Sequence, residues 1–154
     1  MKKILIITLI CTLIDQLIKY FIVGSLTFEK SIVVISDFFN ITLLKNTGAA
    51  FNILNSNTIL LVLISIVALG FFYYFFIKGT VLNKSKIIIY GVLLGGIIGN
   101  LIDRIFRGYV VDYLDFKLFG YNFPVFNFAD TCIVVSIFLI IYMLYKDGKN
   151  EAQS

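Results

Sequence analysis

Four long apolar runs dominate the chain, and polar residues collect between them. Each run is 20 residues long, and the four extend from Ile4 to Val23, Thr58 to Ile77, Ile87 to Phe106 and Phe126 to Tyr145. At about 1.5 Å of rise per helical residue, such a run covers roughly 30 Å, the thickness of the hydrocarbon core of a bilayer. The pattern predicts an all-α membrane protein whose four transmembrane helices form one domain over residues 1–154.

The composition agrees with a membrane protein. The chain is 60% hydrophobic and 14% charged, and its mean hydropathy is +0.98, more than a soluble domain of this length can bury. Because Lys2 and Lys3 precede the first run, a cleaved secretory signal peptide is the alternative for that segment. Asp15, Gln16 and Lys19 interrupt the run and three more spans follow, so we expect it to remain as the first transmembrane helix.

The basic residues predict the orientation, because Lys and Arg accumulate in short cytoplasmic loops. If both termini are cytoplasmic, that side holds Lys2, Lys3, Lys78, Lys84, Lys86, Lys146 and Lys149. The two longer loops, about 24–57 and 107–124, then lie outside and mix both signs of charge. This topology accounts for the net charge of +4 without a nucleic-acid partner.

The residue types restrict the chemistry that is possible. The chain contains no histidine, which removes Ser-His and Cys-His nucleophilic mechanisms and most zinc sites. Cys11 and Cys132 both lie within apolar runs, where a thiol usually behaves as a small hydrophobic group. We therefore expect no disulfide and no metal, and any catalysis must use carboxylates, Lys, Arg, Tyr or hydroxyls.

The third run contains two patterns at helical spacing. Gly91, Gly95 and Gly99 share one face, which allows another helix to approach closely, and we interpret them as packing residues. A polar face follows at the end of the same helix, where Asp103 can pair with Arg107 one turn later. This face is either a structural ion-pair interface or part of a site, and its members are Asn100, Asp103, Arg104 and Arg107.

Two aspartates in nearly apolar surroundings are the strongest candidates for chemistry, since ionisable groups near lipid are costly and usually functional. Asp112 lies in YVVDYLDF, and Asp115, three residues later, cannot be separated from it by spacing. Asp130 lies in FNFADTCIVV, where Asn127 can cap the fourth helix and place Asp130 at its third position. The alternatives are a solvated interfacial aspartate for Asp112 and a favourable helix start for Asp130.

The third helix ends and the fourth begins on the same side of the membrane, so Asp112 and Asp130 are expected at similar depth. If the two carboxyl groups are close, repulsion allows only one to ionise, and the pair holds one proton. The ionised member could then take a proton from an attacking water while the protonated member donates to a carbonyl oxygen. The two aspartates thus resemble an acid–base pair for hydrolysis.

Four motifs in order resemble the lipoprotein signal peptidases, or type II signal peptidases, a family of bacterial membrane aspartyl proteases. They are Asp15-Gln16 with Lys19, KNTGAAF at 45–51, GNLIDRIFRGYVVDYLDF at 99–116 and FNFADT at 126–131. The resemblance covers essentially the whole chain. Within it, Phe38 to Leu44 and the turn residues Asn46-Thr47-Gly48 resemble the small extracytoplasmic sheet that cradles substrate in that family.

The resemblance implies that Asp112 and Asp130 are the catalytic dyad and that Asp115 is not part of it. It implies cleavage of the signal peptide of diacylglyceryl-modified prolipoproteins before the lipidated cysteine, with no cofactor. It also implies a bacterial cytoplasmic-membrane enzyme in contact with membrane lipids, which we expect to be a monomer with its site near the outer surface. The supporting or substrate-binding positions are Asp15, Lys19, Asn46, Gly48, Asn100, Asp103, Arg104, Asn127 and Ala129.

Two alternatives and one unassigned segment remain. A four-helix transporter would also contain membrane aspartates, although it would typically hold them near the bilayer midplane. A Mg²⁺ enzyme could gather Asp103, Asp112, Asp115 and Asp130, but two arginines lie beside them in the sequence. The segment 115–123 matches no pattern of the family, and one hypothesis makes it a lid over the site.

Overall fold

A computed structural model describes residues 1–48 and 57–151 of the chain. Of the KNTGAAF motif at 45–51, residues 45–48 are described and residues 49–51 lie outside the described part. Four helices and four strands are present in that part. They are α1 Lys2–Ser25, β1 Ser31–Ile35, β2 Phe39–Asn46, α2 Thr58–Phe72, α3 Lys84–Arg107, β3 Val110–Leu118, β4 Tyr121–Asn122 and α4 Phe128–Glu151.

The four predicted spans are confirmed as helices that are long and apolar enough to cross a membrane. A π-helical turn, Tyr73–Ile77, extends α2 to the end of the predicted second run. Helix α3 is the centre of the bundle, because it packs against each of the other three. Its apolar half contributes Tyr90 and Leu93 to a hydrophobic cluster with Ile4 of α1 and Ile140 of α4.

The glycine face of α3 packs against α1, as predicted. A Cβ atom added at Gly91 would lie 2.7 Å from Cβ of Ile7, and one added at Gly95 would lie 2.5 Å from Cβ of Cys11. The close approach also brings buried Thr12 within 3.2 Å of the Gly95 carbonyl oxygen, to which its hydroxyl donates. Small residues thus allow α1 and α3 to run side by side in the same direction, which places their polar ends together.

The sheet is larger than the prediction, which placed it in the first long loop alone. It has four antiparallel strands in the order β1-β2-β3-β4, so half of it comes from the segment after α3. The segment 115–123, for which a lid is one hypothesis, forms the end of β3, a turn and the short strand β4.

Between β2 and β3 the pairing changes register. Ile41 pairs with Leu114 and Leu44 with Asp112, so two residues of β2 stand opposite one residue of β3. Such a β-bulge bends a strand and redirects its side chains. Beneath it, Leu43, Val111 and Tyr113 form the second hydrophobic cluster. The bulge therefore lies directly beside the first of the two candidate aspartates.

Candidate active site

Asp112 is carried into the site by a sharp helix-to-strand junction. Gly108 ends α3 with φ of +78°, a left-handed conformation that glycine adopts without strain, and β3 begins two residues later. The Asp112 side chain is buried and accepts hydrogen bonds from Nδ2 of Asn46 at 2.8 Å and Nδ2 of Asn127 at 2.7 Å. Two neutral amides thus hold this carboxyl group from two different elements.

Asp130 lies in the first turn of α4, as the capping pattern predicted. Its backbone N–H donates to Oδ1 of Asn127 at 2.9 Å, and the N–H of Asn127 donates to Oδ2 of Asp130 at 3.2 Å. This reciprocal arrangement is a capping box that satisfies two free N–H groups of the helix start. On the other side, Nδ2 of Asn100 donates to Oδ1 of Asp130 at 2.7 Å.

Among the described residues, no hydrogen bond joins the carboxyl groups of Asp112 and Asp130 directly. Asn127 links them, since its amide group donates to Asp112 while its amide oxygen receives the N–H of Asp130. Burial and, after it, the negative charge of Asp130 raise the pKa of Asp112 to about 7, although the bonds from Asn46 and Asn127 oppose the change. Near neutral pH, Asp112 can therefore hold or release a proton.

Asp115, which spacing could not separate from Asp112, occupies a different environment. Residues three apart in a strand point to opposite faces of the sheet. Its Oδ2 accepts a hydrogen bond of 2.6 Å from the hydroxyl of Thr42, which is itself 2.7 Å from the hydroxyl of Ser31. Asp115 is thus bound to β2 directly and, through Thr42, is linked to the edge strand β1.

A cluster of buried charges lies beneath the two aspartates. Lys19, fully buried in α1, contacts Asp15 at 2.9 Å and Asp103 at 2.8 Å, and donates to Oδ1 of Asn100 at 3.0 Å. Asp103 also pairs with Arg107, as the spacing on α3 predicted. The polar face of α3 is therefore an ion-pair interface and, through Asn100, also a wall of the site.

The remaining predicted positions close the site from the loop and from α4. The Gly48 N–H donates to Oδ1 of Asn46 at 2.9 Å, which confirms the predicted turn. Arg104 reaches the Gly48 carbonyl oxygen at 3.3 Å. Ala129 is fully buried, and its N–H donates to Oδ1 of Asp15 at 3.2 Å. All eleven predicted positions thus fall in one continuous network.

Sequence reasoning gave no role to Gln16 or Tyr113. The Gln16 amide nitrogen is 3.1 Å from the Gly99 carbonyl oxygen, and the Tyr113 hydroxyl accepts the N–H of Phe128 at 3.2 Å. For Gln16 a signal was available, because it continues the spacing of Thr8 and Thr12 opposite the glycines of α3. For Tyr113 we find none in the sequence.

The metal hypothesis does not fit the described residues, none of which form a group of three or more acidic or cysteine side chains able to hold an ion. Asp103 binds two cations and Asp115 binds Thr42, so neither faces the pair formed by Asp112 and Asp130. What remains is two carboxyl groups, Asp112 buried and Asp130 partly buried, that accept hydrogen bonds from asparagine amides. Such a pair can exchange one proton with a water or a carbonyl group.

Comparison with known proteins agrees with this chemistry. A family model described as signal peptidase (SPase) II matches residues 7–146. The chain belongs to the signal peptidase II family. A lipoprotein signal peptidase of Staphylococcus aureus strain JH9 is 38% identical over 149 residues, which cover 97% of this chain and 91% of that protein. The protein of strain Newman gives the same values.

Two solved structures of bacterial membrane enzymes share the signal peptidase II fold seen here. One, determined at 2.3 Å, has a TM-score of 0.89 and 37% identity, and the match covers 97% of this chain and 92% of that one. The other, determined at 1.9 Å, has a TM-score of 0.84 and 37% identity, and covers 96% and 95%. The combination of four apolar helices and a small antiparallel sheet is therefore shared with these enzymes.

Proposed function

We propose that the protein is an aspartic endopeptidase that removes the signal peptide from diacylglyceryl-modified prolipoproteins, cutting before the lipidated cysteine. The observation that carries the proposal is a pair of aspartates, Asp112 buried and Asp130 partly buried, that are linked through Asn127 and held by asparagine side chains in a chain of this family. The name of the Staphylococcus aureus relatives supports a lipoprotein substrate. A transporter has no comparable support.

In the mechanism that we propose, Asp130 is the general base and Asp112 the general acid. Asp112 is assigned the protonated state, because burial is the largest of the effects that raise its pKa to about 7. Asp130 lies at the start of α4, where the helix dipole and the free N–H of Asn127 favour a charged carboxylate. Asp130 takes a proton from water as the water oxygen attacks the scissile carbonyl carbon, and Asp112 donates its proton to the carbonyl oxygen.

Breakdown of the tetrahedral intermediate restores the pair. The carbonyl re-forms and returns its proton to Asp112, the C–N bond breaks, and Asp130 gives its proton to the departing amine. The amides of Asn46, Asn100 and Asn127 stabilise the carboxylates without adding a charge that would compete for the proton. No cofactor takes part in these steps.

We further propose that both termini are cytoplasmic and that the pair faces the outer side of the bacterial cytoplasmic membrane. The support is the distribution of Lys residues, since the short α2–α3 connection contains Lys78 and the two ends contain four more. We also propose that the protein acts as a monomer in contact with membrane lipids.

The direct test is cleavage by the purified protein of a prolipoprotein that carries diacylglyceryl on its cysteine, beside the same precursor without lipid. Mass spectrometry should find a new N-terminus at the lipidated cysteine in the first reaction and no product in the second. Failure to cleave either substrate would refute the proposed function. Equal cleavage of both would refute the requirement for lipid while leaving the protease assignment intact.

A further inference from the structure

The buried ammonium group of Lys19 has three donors and three partners. It contacts Asp15 at 2.9 Å, Asp103 at 2.8 Å and the amide oxygen of Asn100 at 3.0 Å, and its side chain has no exposure to solvent. A buried charge that is fully paired in this way is held in one geometry, because any displacement leaves a polar group unsatisfied. Lys19 therefore joins α1 rigidly to α3.

Each carboxylate bound to Lys19 also holds the backbone immediately before one of the two site aspartates. Oδ2 of Asp103 accepts the N–H of Val111 at 3.1 Å, and Val111 precedes Asp112. Oδ1 of Asp15 accepts the N–H of Ala129 at 3.2 Å, and Ala129 precedes Asp130. One side chain on α1 is thus connected, by two equivalent paths, to the strand and the helix that carry the pair.

The third partner fixes the direction of an amide. Because the Lys19 ammonium group can only donate, the oxygen of Asn100 must face it, and the Asn100 amino group must face Asp130. The same oxygen accepts from Nδ2 of Asn127 at 3.2 Å, so the orientation of the second amide follows from the first. Both amides consequently present donors to the site aspartates.

Gln16 provides a second link between the same two carboxylates. Its amide nitrogen lies 3.1 Å from Oδ2 of Asp15 and 3.2 Å from Oδ1 of Asp103. Its oxygen accepts from Arg107 at 3.2 Å, and Arg107 also pairs with Asp103. Lys19 and Arg107 therefore balance the charges of Asp15 and Asp103. The separation of the two carboxylates is fixed by two independent bridges, one from Lys19 and one from Gln16.

We propose that Lys19, Gln16, Asp15 and Asp103 form a positioning unit that sets the distance between Asp112 and Asp130 through the N–H groups of Val111 and Ala129. None of the four needs to touch substrate for this role. The inference rests on the proposed function, because the distance matters only if the two aspartates act in one reaction. A displacement of about 1 Å at reacting groups can lower a rate about 100-fold.

The test compares Lys19→Met with Thr12→Val in the full-length enzyme. Thr12 is the matched control, because it lies on the same face of α1, is buried, and its hydroxyl donates to the Gly95 carbonyl oxygen of α3 rather than to a side chain of the cluster. Lys19→Met should lower kcat about 100-fold and change KM by less than about threefold, whereas Thr12→Val should change neither by more than about threefold.

A spectroscopic measurement separates positioning from a general effect on stability. The amide proton resonances of Val111 and Ala129, observed in ¹⁵N-labelled protein, should both move in Lys19→Met and both remain in Thr12→Val. If Lys19→Met does not fold, Gln16→Met is the second variant, because it retains the ion pairs of the cluster. Gln16→Met should change the chemical shifts of both resonances and lower kcat about tenfold.

Unchanged resonances and unchanged kcat per folded molecule in Gln16→Met would overturn the proposal. So would a loss of kcat in Thr12→Val equal to that in Lys19→Met. If the wild-type enzyme fails to cleave the lipidated precursor, the proposed function is refuted. In that case the chemical shifts of Val111 and Ala129 in Lys19→Met and Gln16→Met still decide whether the unit positions the aspartates.

Discussion

Gly96 lies on the face of α3 that contacts α4, and we predict that Gly96→Ala will damage the site without touching a polar group. A Cβ atom there would lie 2.6 Å from the carbonyl oxygen of Ala129 and 3.1 Å from Cβ of Cys132. Ordinary van der Waals contact begins at 3.4 Å, so the start of α4 would have to retreat by about 0.8 Å. Asp130 follows Ala129 and would move with it.

The expected magnitude follows from that displacement. Overpacking of this kind costs about 1–3 kcal/mol of folding free energy, and a shift approaching 1 Å at a reacting group costs about 100-fold in rate. We therefore expect kcat for the lipidated precursor to fall between about 10-fold and 100-fold in Gly96→Ala, with the thermal unfolding temperature lowered.

Gly70→Ala is the matched control, because Gly70 also lies within a membrane helix but has no atom within 4 Å of an added Cβ. It should keep the wild-type rate and stability. The reasoning would be refuted if Gly96→Ala cleaved the precursor within about twofold of the wild-type rate, or if Gly70→Ala lost as much activity.

Three further predictions concern charge, topology and metal. The pKa of Asp112 is raised from 3.8 to about 7, so the contribution of its protonated carboxyl group to stability is complete below about pH 4 and is lost as the pH rises through about 7. Asp112→Asn should therefore raise the free energy of unfolding by up to about 4 kcal/mol at pH 8 and leave it unchanged at pH 4. Equal effects at both pH values would contradict this. Single-cysteine probes at Asn40 and Asn122 should react with a membrane-impermeant reagent added outside the cell, and one at Asn83 should not; the reverse pattern would place the pair on the cytoplasmic side. Chelation with EDTA should leave the cleavage rate essentially unchanged, and loss of activity restored by Mg²⁺ would revive a metal-dependent mechanism.

The helices and the capping of α4 could be predicted from the sequence, because both depend on local signals. A run of 20 apolar residues predicts a membrane helix wherever it occurs. Asn127 three residues before Asp130 predicts a cap, and the capping box is present. Strand β1 is absent from the sequence prediction although its sequence, SIVVI, is rich in β-branched residues that favour strands. Its place in the sheet depends on pairing with β2.

The sequence pattern alone could not decide which of Asp112 and Asp115 belongs to the site, because the answer depends on the backbone conformation between them. As a helix, residues 112–115 would have placed both carboxylates on one face, whereas in a strand they face opposite sides. The contacts of Lys19 were beyond sequence reasoning for a different reason. Its pairing with Asp103 depends on the parallel packing of α1 and α3, which joins residues 84 positions apart.

The most direct test of the central claim is the turnover of Asp112→Asn, Asp130→Asn and the double variant, measured on the lipidated precursor with Asp115→Asn as the control. Asn is nearly isosteric with Asp but cannot exchange the proton, so each single change should remove nearly all turnover in protein that still folds. Because the two groups act in one step, the double variant should be within about threefold of either single variant, and Asp115→Asn should retain most activity. Additive losses, or an inactive Asp115→Asn beside an active Asp112→Asn, would contradict the assignment of Asp112 and Asp130 as the catalytic pair.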